Sequence, residues 1–333
     1  MKIYLAGDSI VQNYEKEEFI AGWGQFLPFF IKDGVEVVND AKGGRSSRLF
    51  INEGRFDNIE KNISAGDYLL IEFCHNDDAS KEYKTMFNRL TPLGEPDSDG
   101  RFPIIPGETM PKDYIPPEYI DALRKDENVK DKQAVLDSVY KILESYPHDT
   151  YYPYSADGSK GTYLWFLKQF VDMAREKGAV PVFVTAPART VYDANGNIKD
   201  GAGLHGGNNF AYIRAMKQLG EEAKVPVIDL FAYSCGLYKQ IGKEKIHWIT
   251  SIKKGCNKGI WPDDFNSEMQ KKETVSEDTH FNKYGAMLIT QGLVKLIKES
   301  DSSQLDGLKG MLKNPDGIDI EKYVKKPLVF EKF

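Results

Sequence analysis

A doubly wound α/β sheet is the fold this sequence predicts, as a three-layer α/β/α, flavodoxin-like sandwich around a mostly five-stranded parallel sheet. Two observations predict it. Five short runs are apolar throughout rather than alternating with polar residues, at 2–6, 35–39, 68–73, 180–186 and 225–230. Continuous apolarity marks strands buried on both faces, as in a parallel sheet covered by helices. Between these runs lie segments with apolar residues at helical spacing, at 23–32, 50–63, 162–177, 209–224 and 284–298. Alternation of the two patterns implies right-handed β-α-β crossovers.

Taken in order, the first strand opens the chain as Lys2-Ile3-Tyr4-Leu5-Ala6 and ends in the turn residues Gly7-Asp8-Ser9. The second and third strands precede "NDAKGGRS" and "CHND". The helix at 162–177 meets a stop signal in Lys177-Gly178. The rhythm breaks from about 78 to 160, where seven prolines, Pro92 to Pro117, accompany the polar stretch "GEPDSDG". Such a long irregular segment inside a compact domain is usually functional or mobile. It reads as an insertion over one end of the sheet, with room for one or two short helices in 116–145. The remainder, to about 300, reads as a single domain, and 301–333 as a polar tail with weak helical tendency.

The bulk numbers exclude several classes. With 333 residues, 41% hydrophobic and 12% aromatic, there is ample material for a core. A net charge of −6 with scattered Lys and Arg offers no basic stripe for nucleic acid or an anionic membrane. Apolar runs fall far short of the ~20 residues a membrane-spanning helix needs. Cys74, Cys235 and Cys256 are odd in number and lack metal-like spacing, and the five histidines show none either. No basic-then-apolar leader precedes the first strand, so a reducing cytoplasm is the expected compartment, although a secreted protein with its leader removed would have the same sequence.

In a parallel α/β sheet, ligands bind outside the carboxyl ends of the strands. The segments after strands one, two and three, and "SEDTH" before the last helix, should therefore share one surface. They supply a serine, a glycine turn, an asparagine and a carboxylate–histidine pair, which are the parts of an acyl-transfer site. Ser9 alone reads as a helix cap or as a nucleophile needing a base. His280 is the candidate base, with Glu277 or Asp278 to fix its tautomer. The Ser9 and Gly44 N–H groups and the Asn76 side-chain amide are the candidate oxyanion donors.

These pieces resemble the four blocks of the SGNH (GDSL-type) hydrolase superfamily: "GDSI", "KGGRSSR", "CHND" and "EDTH". A G-x-S-x-G elbow does not occur in the chain. "NDAKGGRSSRLFINEGRFDNI", "GDYLLIEFCHNDD" and "EDTHFNKYGA" are similar to the rhamnogalacturonan acetylesterase branch, over about residues 1–78 and 160–298. The resemblance implies Ser9 as nucleophile. It also implies removal of acetyl groups from acetylated pectic or related oligosaccharides through an acetyl-serine, with no metal or organic cofactor. Two positions depart from the pattern: Cys74 replaces the usual Gly, and Glu277 the usual Asp. Glu277 is favoured by spacing as the partner of His280. Cys74 has no base of its own and reads as a buried structural thiol.

Arg45, His75 and Asp8 are the substrate-binding candidates. Arg45 suits a galacturonate carboxylate or a local salt bridge, and His75 the cleft or an internal hydrogen bond. Tyr114, Tyr119, Tyr151, Tyr152 and Tyr154 of the insertion suit sugar stacking or packing, and His205 and Trp261 are weaker cleft candidates. Two rival functions stay open: a lipase or thioesterase of the same superfamily, and a non-catalytic carbohydrate-binding protein on the same scaffold. The sequence leaves the oligomeric state unassigned.

Overall fold

The computed structural model describes residues 1–15, 20–78, 89–112, 114–127, 129–151, 157–199, 210–252 and 276–324. Five parallel strands form the central sheet: β1 (Lys2–Gly7), β2 (Glu36–Asn39), β3 (Tyr68–Glu72), and two later strands, β6 (Val180–Val184) and β7 (Val227–Ile228). Their spatial order is β2-β1-β3-β6-β7, the doubly wound order predicted. The chain leaves β1 toward one edge and returns from β2 to its other side. The strand order therefore reverses between β1 and β3, and a crevice opens at their carboxyl ends.

Strand residues alternate between two cores. Ile3, Leu5, Tyr68, Leu70, Val182 and Val184 face one; Tyr4, Ala6, Leu69, Ile71 and Phe183 face the other. Every residue of β3 is buried, as a central parallel strand requires. The second core is closed by helices α1 (Ser47–Asn52), α2 (Arg55–Asn62), α5 (Tyr163–Glu176) and α6 (Ala211–Ala223). The first is closed by α7 (Leu230–Ile241) and α8 (Lys283–Glu299).

The insertion is more ordered than its composition suggests. It holds the hairpin of β4 (Thr109–Met110) with β5 (Thr150–Tyr151), and the helices α3 (Pro117–Lys125) and α4 (Lys132–Glu144). Ile115, Tyr119, Leu123, Val139, Leu143 and Tyr146 form a third small core that closes on Leu49 of α1.

Several expectations are corrected. The helix expected at 23–32 is two short 3₁₀ turns, Trp23–Gln25 and Leu27–Phe30. Pro28 has no N–H to give the Gly24 carbonyl, so an α-helical ladder cannot run through. The helix expected at 50–63 is split into α1 and α2 at Gly54, whose φ of +72° ends the first and starts the second. Helix α7 and the antiparallel pair β8 (Thr250–Ile252) with β9 (Ser276–Phe281) were not foreseen. Through 324 the polar tail also carries buried residues: Leu305, Leu308, Leu312 and Ile320 lie in the first core, Leu308 within α9 (Asp306–Met311).

Candidate active site

Ser9 stands in the turn that leaves β1. Asp8 shapes this turn, since its carbonyl accepts from the Val11 and Gln12 N–H groups (3.2 and 3.1 Å) and its Oδ1 from the Ile10 N–H (2.9 Å). Tyr14 Oη donates to the Ser9 carbonyl at 2.9 Å. The next helical element begins only at Trp23, so Ser9 caps no helix among the described residues. Its Oγ lies 2.8 Å from His280 Nε2.

His280 is held from its chain neighbours. Strand β9 pairs with β8, the Ala21 N–H donates to the Phe281 carbonyl (2.9 Å), and Asn282 caps α8 by accepting from the Gly285 N–H (2.9 Å). The imidazole is thus positioned by a strand and a helix start, which restrain its backbone on both sides.

The glycine turn runs beside the serine. Lys42 and Asp40 donate to the Gly7 and Leu5 carbonyls (3.0 and 3.1 Å), which extends the pairing along β1. The Gln12 side chain accepts from the Gly43 N–H. A Cβ built on Gly43 would lie 3.3 Å from Ser9 Cβ. Gly44 has φ +82°, a conformation that L side chains rarely adopt.

Asn76 follows β3, directly across the crevice. It is 6% exposed, and its Nδ2 donates to Asp8 Oδ2 at 2.9 Å. One amide hydrogen is thereby committed and the other remains for a ligand. Next to it, Asp77 Oδ1 accepts from the Ser47 N–H (2.9 Å) and Ser47 Oγ (2.5 Å), which fastens the start of α1 to the end of β3.

Carboxyl groups are sealed beneath this surface: Asp8, Glu72, Asp77 and Asp78 are each 0% exposed. Burial pushes Asp8 up to about 6, against the Ile10 and Asn76 hydrogen bonds and the charges of His280 and Arg89. Burial likewise pushes Asp77 up to about 7. Glu72 lies well above the carboxylate range, from burial and then from the charges of Asp8 and Asp77. Both of its carboxyl oxygens are buried without a hydrogen-bond partner, which suits a neutral acid better than an anion.

Ser9, His280, Asn76 and the Gly43–Gly44 turn are brought together. The other candidates divide. Both Asp278 oxygens accept from the one nitrogen Arg189 Nη2 (2.7 and 2.8 Å), and Oδ1 also accepts from Thr279 Oγ1 (3.0 Å). Burial raises its carboxyl, but the Arg189 hydrogen bond and charge hold it below the ordinary value. Glu277 lies in β9, and its side chain is outside the described residues.

The three substrate-binding candidates are engaged within the protein, Arg45 and His75 by the salt bridge and the internal hydrogen bond that were their alternative readings. Asp8 is fully buried and serves Asn76 and the turn. Arg45 closes on Glu53 through Nε and Nη2 (2.8 and 2.7 Å) and on the Gly43 carbonyl through Nη1 (2.8 Å), so its fork is occupied by the salt bridge. His75 is 1% exposed, and its Nε2 lies 2.9 Å from the Pro187 carbonyl, an internal tie between β3 and the chain after β6. Cys74 is 0% exposed, and burial pushes its thiol well up, so it presents no thiolate. Tyr119 is buried in the third core, Tyr151 packs edge-on to Trp165 and Phe166, and Tyr114 is exposed. Tyr152, Tyr154, His205, Trp261 and Cys256 lie outside the described residues. Arg89, beyond the third block, stands against the glycine turn: a Cβ built on Gly44 would meet its Nη2 at 2.9 Å.

No protein-family model matches the chain. It is 30% identical over 300 residues to the rhamnogalacturonan acetylesterase RhgT of Bacillus subtilis (strain 168), covering 90% of each chain. It is also 30% identical over 298 residues to the probable rhamnogalacturonan acetylesterase YesY of that organism, covering 89% of this chain and 92% of that one. The crystal structure of the YxiM protein of Bacillus subtilis shares the fold, with a TM-score of 0.52 at 18% identity over 91% of this chain and 57% of that one. Among the described residues no helix is long and apolar enough to cross a membrane.

Proposed function

The chain belongs to the rhamnogalacturonan acetylesterase family of SGNH-type serine esterases, and on that premise we propose that it deacetylates acetylated pectic oligosaccharides through an acetyl-serine intermediate. The 2.8 Å contact between Ser9 Oγ and His280 Nε2, at the reversal of strand order, is the observation that carries this reading.

In the proposed reaction, His280 Nε2 takes the Ser9 proton as Oγ attacks the acetyl carbonyl. The oxyanion is met by the N–H groups of Ser9 and Gly44 and by the second amide hydrogen of Asn76. As the tetrahedral intermediate collapses, the C–O bond to the sugar breaks and His280 returns the proton to the departing hydroxyl. Water, deprotonated by the same imidazole, then cleaves the acetyl-serine to acetate. Glu277 is assigned to the Nδ1 side of His280, because the Asp278 carboxylate is engaged by Arg189.

Asp8 acts through Asn76. Its Oδ2 fixes the rotation of the side-chain amide, so that the remaining N–H need not reorganise when charge develops. Asn76→Ala is expected to lower kcat for acetyl transfer by about 100- to 1,000-fold, the usual consequence of losing one oxyanion donor, with KM changed far less. Steady-state kinetics on p-nitrophenyl acetate checks this, and a change confined to KM would contradict the assignment.

The function itself is tested by acetate release from acetylated pectic, xylan-type and chitin-type oligosaccharides, beside short- and long-chain p-nitrophenyl esters. Release from the pectic class above the others is the expected result. Activity confined to the long-chain ester would favour a lipase. Binding of the glycans without release of acetate would favour a carbohydrate-binding protein.

A further inference from the structure

The Gly44 N–H, one of the proposed oxyanion donors, belongs to the peptide that joins Gly43 to Gly44. A peptide flanked by two glycines has no side chain to bias its rotation, and Gly44 sits at φ +82°. Its orientation must come from outside the turn. The peptide is trans, so its C=O and N–H point in opposite directions. Whatever fixes the Gly43 carbonyl therefore also aims the Gly44 N–H. Arg45 does so: its Nη1 donates to the Gly43 carbonyl at 2.8 Å.

The guanidinium is itself held. Glu53, at the end of α1, accepts from Arg45 Nε on Oε2 and from Nη2 on Oε1 (2.8 and 2.7 Å). Arg55 Nε adds a bond to Glu53 Oε2 at 3.0 Å. Helix α1, capped by Ser46, spans the interval between Arg45 and Glu53, and the Glu53 N–H closes on the Leu49 carbonyl at 3.0 Å. The preceding peptide is pinned as well, since the Gly43 N–H donates to Gln12 and the Arg45 N–H to the Lys42 carbonyl (3.3 Å). The other two donors are aimed by comparable bonds. The Ser9 N–H shares a peptide with the Asp8 carbonyl, which accepts from Val11 and Gln12, and the Asn76 amide is turned by Asp8 Oδ2.

We propose that Arg45 is a positioning residue for acetyl transfer: held by Glu53, it orients and polarises the Gly43–Gly44 peptide so that the Gly44 N–H meets the oxyanion without reorganising. The inference rests on the acetyl-serine reading above and adds a residue to it. A charge-assisted bond to a carbonyl draws electron density along the peptide and strengthens the N–H at its other end. That benefit grows as the acetyl oxygen turns negative, so it belongs to the transition state and not to the bound ester.

The test measures kcat and KM on p-nitrophenyl acetate for the wild type, Arg45→Gln, Arg45→Lys, Glu53→Gln and the Arg45→Gln/Glu53→Gln double variant. Beside these stand a thermal melt and inhibition by a trifluoromethyl ketone, whose adduct with serine carries an oxyanion. Arg45→Gln should lower kcat by about 10- to 100-fold, part of the loss that follows removal of a whole donor. KM should change far less, and the ketone should weaken by the same factor as kcat. Glu53→Gln should act in the same direction by less, and the double variant should be no slower than Arg45→Gln, because the two act as one unit. Arg45→Lys, which keeps a donor for the carbonyl but loses the fork, should fall between. A lower melting temperature with kcat and ketone affinity unchanged would make the pair a salt bridge of the fold only and overturn the assignment. So would a change confined to KM, which would put Arg45 on the substrate. If Arg45→Gln does not fold, Arg45→Lys and Glu53→Gln carry the same comparison, and unchanged kcat in both overturns it. In each of these cases the esterase reading stands, whereas a wild type inert toward p-nitrophenyl acetate would overturn that reading and this assignment together.

Discussion

Replacing Ser9 by alanine is expected to lower acetyl-ester hydrolysis by at least about four orders of magnitude in kcat while the fold persists. Loss of the nucleophile in a serine triad leaves only the rate that oxyanion donors and binding supply. The contacts that hold the turn survive the change. Tyr14 bonds the Ser9 carbonyl, Asp8 bonds the Ile10 N–H, and Gln12 bonds the Gly43 N–H; none uses the Ser9 hydroxyl. Acetate release together with a thermal melt checks both halves. Retention of more than a few per cent of activity by a folded Ser9→Ala protein would move the nucleophile elsewhere, and buried Cys74 would not be its replacement.

His280→Gln should cost nearly as much, because Ser9 Oγ then has no base to take its proton and the departing sugar no acid to supply one. The two carboxylates upstream should separate in the same assay. Glu277→Gln is expected to lower kcat by at least about 100-fold, since an unoriented imidazole spends most of its time in unproductive tautomers and rotamers. Asp278→Asn should chiefly lower the melting temperature, because it removes the charge and one of the two acceptor oxygens that pair with Arg189 Nη2 and fasten β9 to the chain after β6. The reverse ranking would make Asp278 the partner of His280.

Much of this architecture is legible in the amino-acid order, for a physical reason. Strands β1, β3 and β6 are buried on both faces, so Ile3 to Ala6 or Leu69 to Ile71 cannot carry the polar alternation that would blur them. The four blocks sit at strand exits or just before a helix, where short polar motifs interrupt long apolar ones. What stays illegible depends on partners distant in sequence. Strand β9 reads "SEDTHF", polar enough to pass for a loop, and becomes a strand because β8 pairs with it. Helix α7 begins directly after the two-residue strand β7, so the continuous run "VPVIDL" hides the change of period. For Arg45 beside the glycine turn the sequence offers a substrate contact or a local salt bridge without the partner's identity. Glu53, eight residues on, comes within reach only because the chain folds into α1.

The contact between Ser9 and His280 joins residues 271 positions apart. A ribosome adds 271 residues after Ser9 before this contact can form, and a contact so distant in sequence carries a loop-closure cost until the intervening sheet has collapsed. Hydrolytic competence therefore comes late in biogenesis: the nascent protein stays chemically silent until the segment that carries His280 docks beside β1.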